Sequence, residues 1–167
     1  MKKILISPYS SKHPEAIIRP DLKNWKNPKD YPWWNEVVLG LKQLGYYVIQ
    51  VGVSGEKPIN SVDEFKVGLS FKELLSTLKG CVTYISVDNF FHHFAHYYGI
   101  TGIVIFGKSD PDLFGYKDNR NLLKDKKYLR PDQYRMWTQT DYNEDVFVNP
   151  SIVLSEVIKT SPVGNTT

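Results

Sequence analysis

Apolar and polar positions alternate along this chain in two rhythms, and their succession predicts most of the architecture. Lys3 to Ser7 is a short β-rich run ended by Pro8, which predicts a buried first strand. Residues 8 to 32 hold Pro8, Pro14, Pro20, Pro28 and Pro32 among scattered charges, the pattern of a long functional loop. Pro32 suits a first helical position, and Trp34, Val37, Val38, Leu41 and Leu44 then recur at helical spacing up to a stop at Gly45. Tyr47 to Val51 reads as a second strand, so the chain opens β-loop-α-β, a crossover that implies a parallel pair.

The same grammar repeats. Ser70-Phe71-Lys72-Glu73 is a capping box that starts a helix through Leu74, Leu75 and Leu78 to Gly80. Val82 to Val87 is a third strand, and Asp88 is expected to cap a helix ending at Gly99. Gly102 to Phe106 is a fourth strand closed by Gly107, after which loops are expected up to about residue 145. Phe147-Val148 reads as a brief edge strand, and Asn149-Pro150 opens a last helix through Ile152, Val153, Val157 and Ile158. Strands alternating with helices predict a doubly wound α/β domain over residues 1–160, with a mostly parallel sheet flanked by helices. Residues 161–167 read as a flexible tail.

Composition narrows the class. The 167 residues are 41% hydrophobic and 23% charged, values of an ordinary globular protein, with room for one domain. No apolar run approaches the ~20 residues that span a bilayer, and the start lacks a signal-peptide pattern. With a single cysteine, Cys81, the chain holds no internal disulfide or cysteine metal cluster. These features suggest the cytoplasm. The net charge of +3 is uneven: Lys117 to Arg130 holds six basic and two acidic residues, leaving the rest slightly negative. One basic segment suits a phosphate-bearing small ligand or a solvated loop better than it suits nucleic acid, which basic residues on several elements would serve.

No Gly-x-Gly-x-x-Gly follows a strand and no phosphate loop is present, so dehydrogenase and P-loop chemistry are not indicated. In open α/β sheets the ligand lies beyond the carboxyl ends of the strands, here the loops starting at Ser7, Gly52, Val87 and Phe106. His92 and His96 are four apart, as two ligands of one metal would be, but no third ligand stands nearby in the sequence and no metal or cofactor is expected. On a helical wheel Phe90, Phe91, Phe94, Ala95 and Tyr98 form the apolar face, His93 and Tyr97 flank it, and His92 and His96 point away.

Asp88-Asn89-Phe90-Phe91-His92-His93-Phe94-Ala95, followed by a strand ending Phe106-Gly107-Lys108-Ser109-Asp110-Pro111, resembles a segment of the family 9, heptosyltransferase-like glycosyltransferases. The nucleotide-sugar-binding lobe of that family carries Asp-Ser/Thr-Gly-Pro-x-His-x-Ala and then Phe-Gly-x-Thr/Ser-x-Pro. Lys29-Asp30-Tyr31-Pro32 resembles the family's Lys-x-Trp-Pro, and Gly52 to Glu56 its Gly-rich turn ending in Glu. Together these patterns span roughly residues 3 to 115.

The resemblance implies a Rossmann-like domain like the carboxyl-terminal lobe of a GT-B glycosyltransferase. It implies Glu56 on a ribose, Lys29 on a phosphate or sugar, Asp88 and His93 beside the diphosphate, and helix amides facing the phosphates. Ser7, Ser10, Asn89, Lys108 and Ser109 complete the candidate ligand contacts. Phe90 and Phe91 stand where the family has Gly-Pro; they pack inward, stack on a base, or move the ligand. Because Met1 to Ile4 already reads as the start of the carboxyl-terminal lobe, no segment is expected for the second lobe, which in the family supplies acceptor binding and the catalytic base. Two readings follow: a reduced transferase of hexosyl or heptosyl groups whose cleft is closed by a homodimer or partner chain, or a non-catalytic module that sequesters or senses a nucleotide-type ligand.

Overall fold

A computed structural model describes residues 1–10 and 25–160. The expected tail, residues 161–167, and the middle of the long loop lie outside the described residues. Six strands form one parallel sheet in the order β3-β2-β1-β4-β5-β6. They are β1 (Lys3–Ser7), β2 (Tyr47–Gly52), β3 (Glu64–Val67), β4 (Thr83–Val87), β5 (Ile103–Phe106) and β6 (Arg120–Leu123). The helices are α1 (Trp34–Gln43), α2 (Phe71–Lys79), α3 (Phe90–Tyr97), the short α4 (Pro111–Phe114) and α5 (Pro150–Thr160).

Period-two side chains sort the strands onto two cores. Ile4, Ile6, Val48, Ile85, Val87, Ile103 and Ile105 face α1 and α5, meeting Val37, Val38, Leu41, Val153 and Val157. Leu5, Val51, Tyr84, Val104 and Phe106 face α2 and α3, meeting Leu74, Leu78, Phe91, Phe94 and Ala95. Burial on both faces explains why the central strands read as near-continuous apolar runs. The α1–α5 contact is close: a Cβ on Gly40 would come within 2.4 Å of Leu154.

Several expectations need correction. Two edge strands, β3 and β6, were not expected. Both are short and carry charges, Glu64 and Lys66 on one and Arg120 on the other, which suits an edge and hides the strand rhythm. The residues after Gly107 are therefore not loop throughout. Phe147-Val148 is no strand. Phe147 is fully buried, its ring 5.7 Å from Tyr31, and the Val148 carbonyl accepts from the Tyr31 hydroxyl at 2.9 Å. Pro32 lies in a turn two residues ahead of α1, whose N-cap Trp33 offers no side-chain bond. The capping box at Ser70 and Glu73 is present as expected.

Candidate functional site

β1 sits in the middle of the sheet, and the chain winds outward from it in both directions, so the topological switch lies between β1 and β4. Asn89 bridges it. The Asn89 side-chain oxygen accepts from Phe91 N–H at 2.9 Å and caps α3, while its amide nitrogen reaches the Ser7 hydroxyl at 3.0 Å and the Tyr9 carbonyl at 2.9 Å. Asn89, not Asp88, is thus the N-cap. One residue of register frees Asp88 for another partner.

That partner is Lys29. The Asp88 carboxylate, 3% exposed at the end of β4, receives the Lys29 ammonium at 2.8 Å and His92 Nε2 at 3.2 Å. Burial pushes the Asp88 carboxyl up, but the His92 hydrogen bond and the Lys29 charge outweigh it and hold it down at about 2. His92 is fully buried, contrary to the wheel, which had it pointing away. The wheel fails because α3 is covered on a second side by Tyr116 and by Phe106, whose rings lie 5.7 and 6.2 Å from His92. Phe90, assigned to the apolar face, is 57% exposed instead.

The remaining histidines diverge. His93 shares a hydrogen bond with the Tyr116 hydroxyl at 2.8 Å; partial burial of its ring, and then its neighbour His92, lower its proton affinity. His96 stacks on Tyr116 with centroids 3.6 Å apart, so it does not converge with His92 on a shared ion. Asp88, His92 and His93 do bring ligand-type atoms within 4.8 Å of one another. The Lys29 ammonium already supplies the positive charge that this trio would seek.

Toward β2 and β3 the edge turns apolar. Ser7, Val51, Gly52, Val53, Leu69, Phe71, Phe90 and Phe91 line a cavity of about 240 Å³ that opens at the carboxyl ends of β1, β2 and β3. Phe71 and Phe90 stack on each other at 5.8 Å at its mouth and are more than half exposed. Phe91 is buried against Tyr84. The two rings that stand for Gly-Pro therefore part, one to the core and one to the cavity. Glu56 folds back over Gly52, its carboxylate accepting from Val53 N–H at 3.1 Å, and burial raises its proton affinity. A Cβ on Gly52 would meet that carboxylate at 2.2 Å, so in this arrangement the glutamate lies directly over the glycine.

The other expected contacts are spread along the same edge. Ser10 N–H donates to Asp30 at 2.9 Å. The Lys108 ammonium is engaged by the Asp141 carbonyl at 2.6 Å, and Ser109 is buried. Sequence reasoning passed over Asp30, whose burial, helped by Glu56 against the Ser10 bond, raises its carboxyl to about 6. It also passed over Arg130 and Trp137. Arg130 lies 8% exposed with its guanidinium carbon 3.4 Å from the Trp137 ring centre, and Lys29 stands 4.7 Å from the same ring. No local pattern announces this pairing, since Lys29 is brought to it from far along the chain.

No protein-family model matches the chain, and no curated protein matches it by sequence. Solved structures do match its fold. Escherichia coli ADP-heptose LPS heptosyltransferase II aligns with a TM-score of 0.63 at 15% identity, covering 95% of this chain and 46% of that one. A family 9 glycosyl transferase from Veillonella parvula gives 0.66 at 15% identity, with 95% and 45% covered. The fold is that of one half of such an enzyme. The dodecameric iron-containing heptosyltransferase TibC, solved in complex with ADP-D-β-D-heptose, gives 0.58 at 16% identity over 89% of this chain and 36% of that one. The chain thus spans less than half the length of each of these three structures, and it shares with them the arrangement of the sheet and helices. Among the described residues, no helix is long and apolar enough to cross a membrane.

Proposed function

We propose that this chain binds a nucleotide or nucleotide sugar across the carboxyl edge of its sheet, in the manner of the donor-binding lobe of a glycosyltransferase. The observation that carries the reading is a division of labour along one edge. An apolar cavity faced by Phe71 and Phe90 opens over β1 to β3, and a charged cluster of Lys29, Asp88 and Arg130 stands over β4 and β5. A base and ribose suit the first, stacked on Phe90 with Glu56 within reach of a hydroxyl. A diphosphate suits the switch point between them, where the α3 N-terminus presents its amides.

The match to a structure holding ADP-D-β-D-heptose supports a nucleotide sugar as the ligand class. Turnover is a separate matter. A transferase needs a base and an acceptor surface in line with the donor. A homodimer or partner chain closing the cleft would make the chain a reduced transferase, whereas binding without turnover would make it a sequestering or sensing module. Calorimetry with a panel of nucleoside diphosphates and their sugar conjugates tests the common claim. Binding of at least one is expected, and neither heat nor a thermal shift across the panel would remove the proposal.

A further inference from the structure

Arg130 is a buried charge with no ion-paired carboxylate, although Asp132 and Asp88 lie near enough to act on its charge. Among the described residues no carboxylate forms an ion pair with it; its two terminal nitrogens reach the Thr140 hydroxyl and the Gln133 carbonyl, both neutral, and its Nε is buried with no partner. A buried cation is costly unless paired. Lys29 stands over the same Trp137 ring, and the single carboxylate of Asp88 answers Lys29 at 2.8 Å. Two cations therefore share one indole, and the buried acid beside them is ion-paired to Lys29.

The placement of Arg130 is fixed from below. The Arg130 backbone N–H donates to the Lys108 carbonyl at 3.1 Å, the Gln133 side chain donates to the same carbonyl at 3.0 Å, and the guanidinium donates to the Gln133 carbonyl, which ties the side chain to the loop that leaves β5 at the carboxyl edge. A cavity of about 260 Å³ opens beside it, lined by Arg130, Arg135 and Thr140 and by the exposed Asp132 and Asp141. The flat guanidinium, immobilised on the indole, loses little freedom when it bonds a ligand, and its fork matches a phosphate.

We infer that Arg130, held on Trp137, is an oxyanion receptor that takes a phosphate of the bound nucleotide, on the side of the switch point away from the apolar cavity. The assignment rests on the proposed nucleotide reading and adds to it the group that neutralises the diphosphate. Lys29 is ion-paired with Asp88, whereas Arg130 meets only neutral acceptors within hydrogen-bond distance and is more deeply buried than Lys108.

The probe is inorganic pyrophosphate, which has no base and so reports on this site independently of the apolar cavity. The full chain, Arg130→Gln and Arg130→Lys are titrated calorimetrically, with melting temperatures recorded for each. Wild type is expected to bind, Arg130→Gln to bind about tenfold or more weakly, and Arg130→Lys to fall between because it keeps the charge and loses the fork. Should Arg130→Gln fail to fold, Arg130→Lys decides alone. Equal affinity in wild type and Arg130→Lys, or no binding of pyrophosphate by wild type, overturns the assignment. In a parallel titration with ADP, GDP, UDP and CDP, affinities no better than that of pyrophosphate would count against the base cavity and leave Arg130 in place.

Discussion

The Lys29 ammonium meets the Asp88 carboxylate at 2.8 Å, tying the loop before α1 to the end of β4. Both side chains are largely buried, at 18% and 4% exposure. Removing one partner strands the other in a low-dielectric setting, so Lys29→Met should cost about 3 kcal/mol or more. Adding Asp88→Asn to Lys29→Met should return part of that loss, because the uncompensated charge disappears. Urea unfolding of the two single variants and the double variant measures the coupling; additive losses would contradict a coupled pair.

The helix cap gives a second, separable prediction. Asn89→Ala should destabilise by about 0.5–2 kcal/mol from the lost cap alone. The cost should sit at the upper end, because the same amide clips the loops after β1 and β4. Asp88→Asn tests the position that the sequence marks as the cap. Its destabilising effect should come through the Lys29 pair and turn to a gain in the Lys29→Met background, whereas the loss from Asn89→Ala should persist there.

Two buried carboxylates make stability depend on pH with opposite signs. Asp88, held at about 2 against an ordinary 3.8, binds protons more weakly when folded. Its contribution is present above pH 4 and is lost as pH falls toward 2. Asp30, raised from 3.8 to about 6, binds its proton more tightly when folded. Stability should therefore rise as pH falls from about 6 to about 4 and then drop below 4. Melting temperatures between pH 7 and 2 should show this maximum, and Asp30→Asn should flatten its neutral side while leaving the acid limb.

Ligand contacts at the apolar cavity predict losses of binding without loss of fold. Phe90 is more than half exposed, so Phe90→Ala should barely move the melting temperature. A lost stacking platform should weaken nucleotide binding by about 1–3 kcal/mol. Glu56→Ala removes a charged acceptor, worth roughly ten- to a hundredfold in affinity. Normal binding by Glu56→Ala would remove the ribose assignment.

The sheet's centre was legible because β1, β2, β4 and β5 are buried on both faces and so read as unbroken apolar runs bounded by Pro, Gly and caps. The edge strands were not, because Glu64-Phe65-Lys66-Val67 and Arg120-Asn121-Leu122-Leu123 carry the charges that an edge tolerates. Local patterns were legible as well. Ser70, Asp88 and Glu56 stand at strand or helix ends in recognisable patterns, although the cap proved to be one residue on. Arg130 over Trp137 and Asp30 beside Ser10 depend on how irregular segments fold back on themselves, which no helix or strand spacing encodes. His92 was misplaced for a related reason: a helical wheel describes one buried face, and α3 is covered on two.

The central claim is that a nucleotide occupies the carboxyl edge of the sheet, and backbone amide NMR during a nucleotide titration tests it most directly. Addition of the tightest-binding member of the nucleoside diphosphate panel should shift Gly52, Val53, Phe71, Phe90 and Phe91 at the cavity, and Lys29 and Arg130 at the charged cluster. Gly45, Gly80 and Gly102, at the opposite ends of the strands, should stay in place. Shifts confined to that opposite edge, or a saturating titration that leaves the amides at Gly52, Phe71 and Phe90 unmoved, would contradict the account.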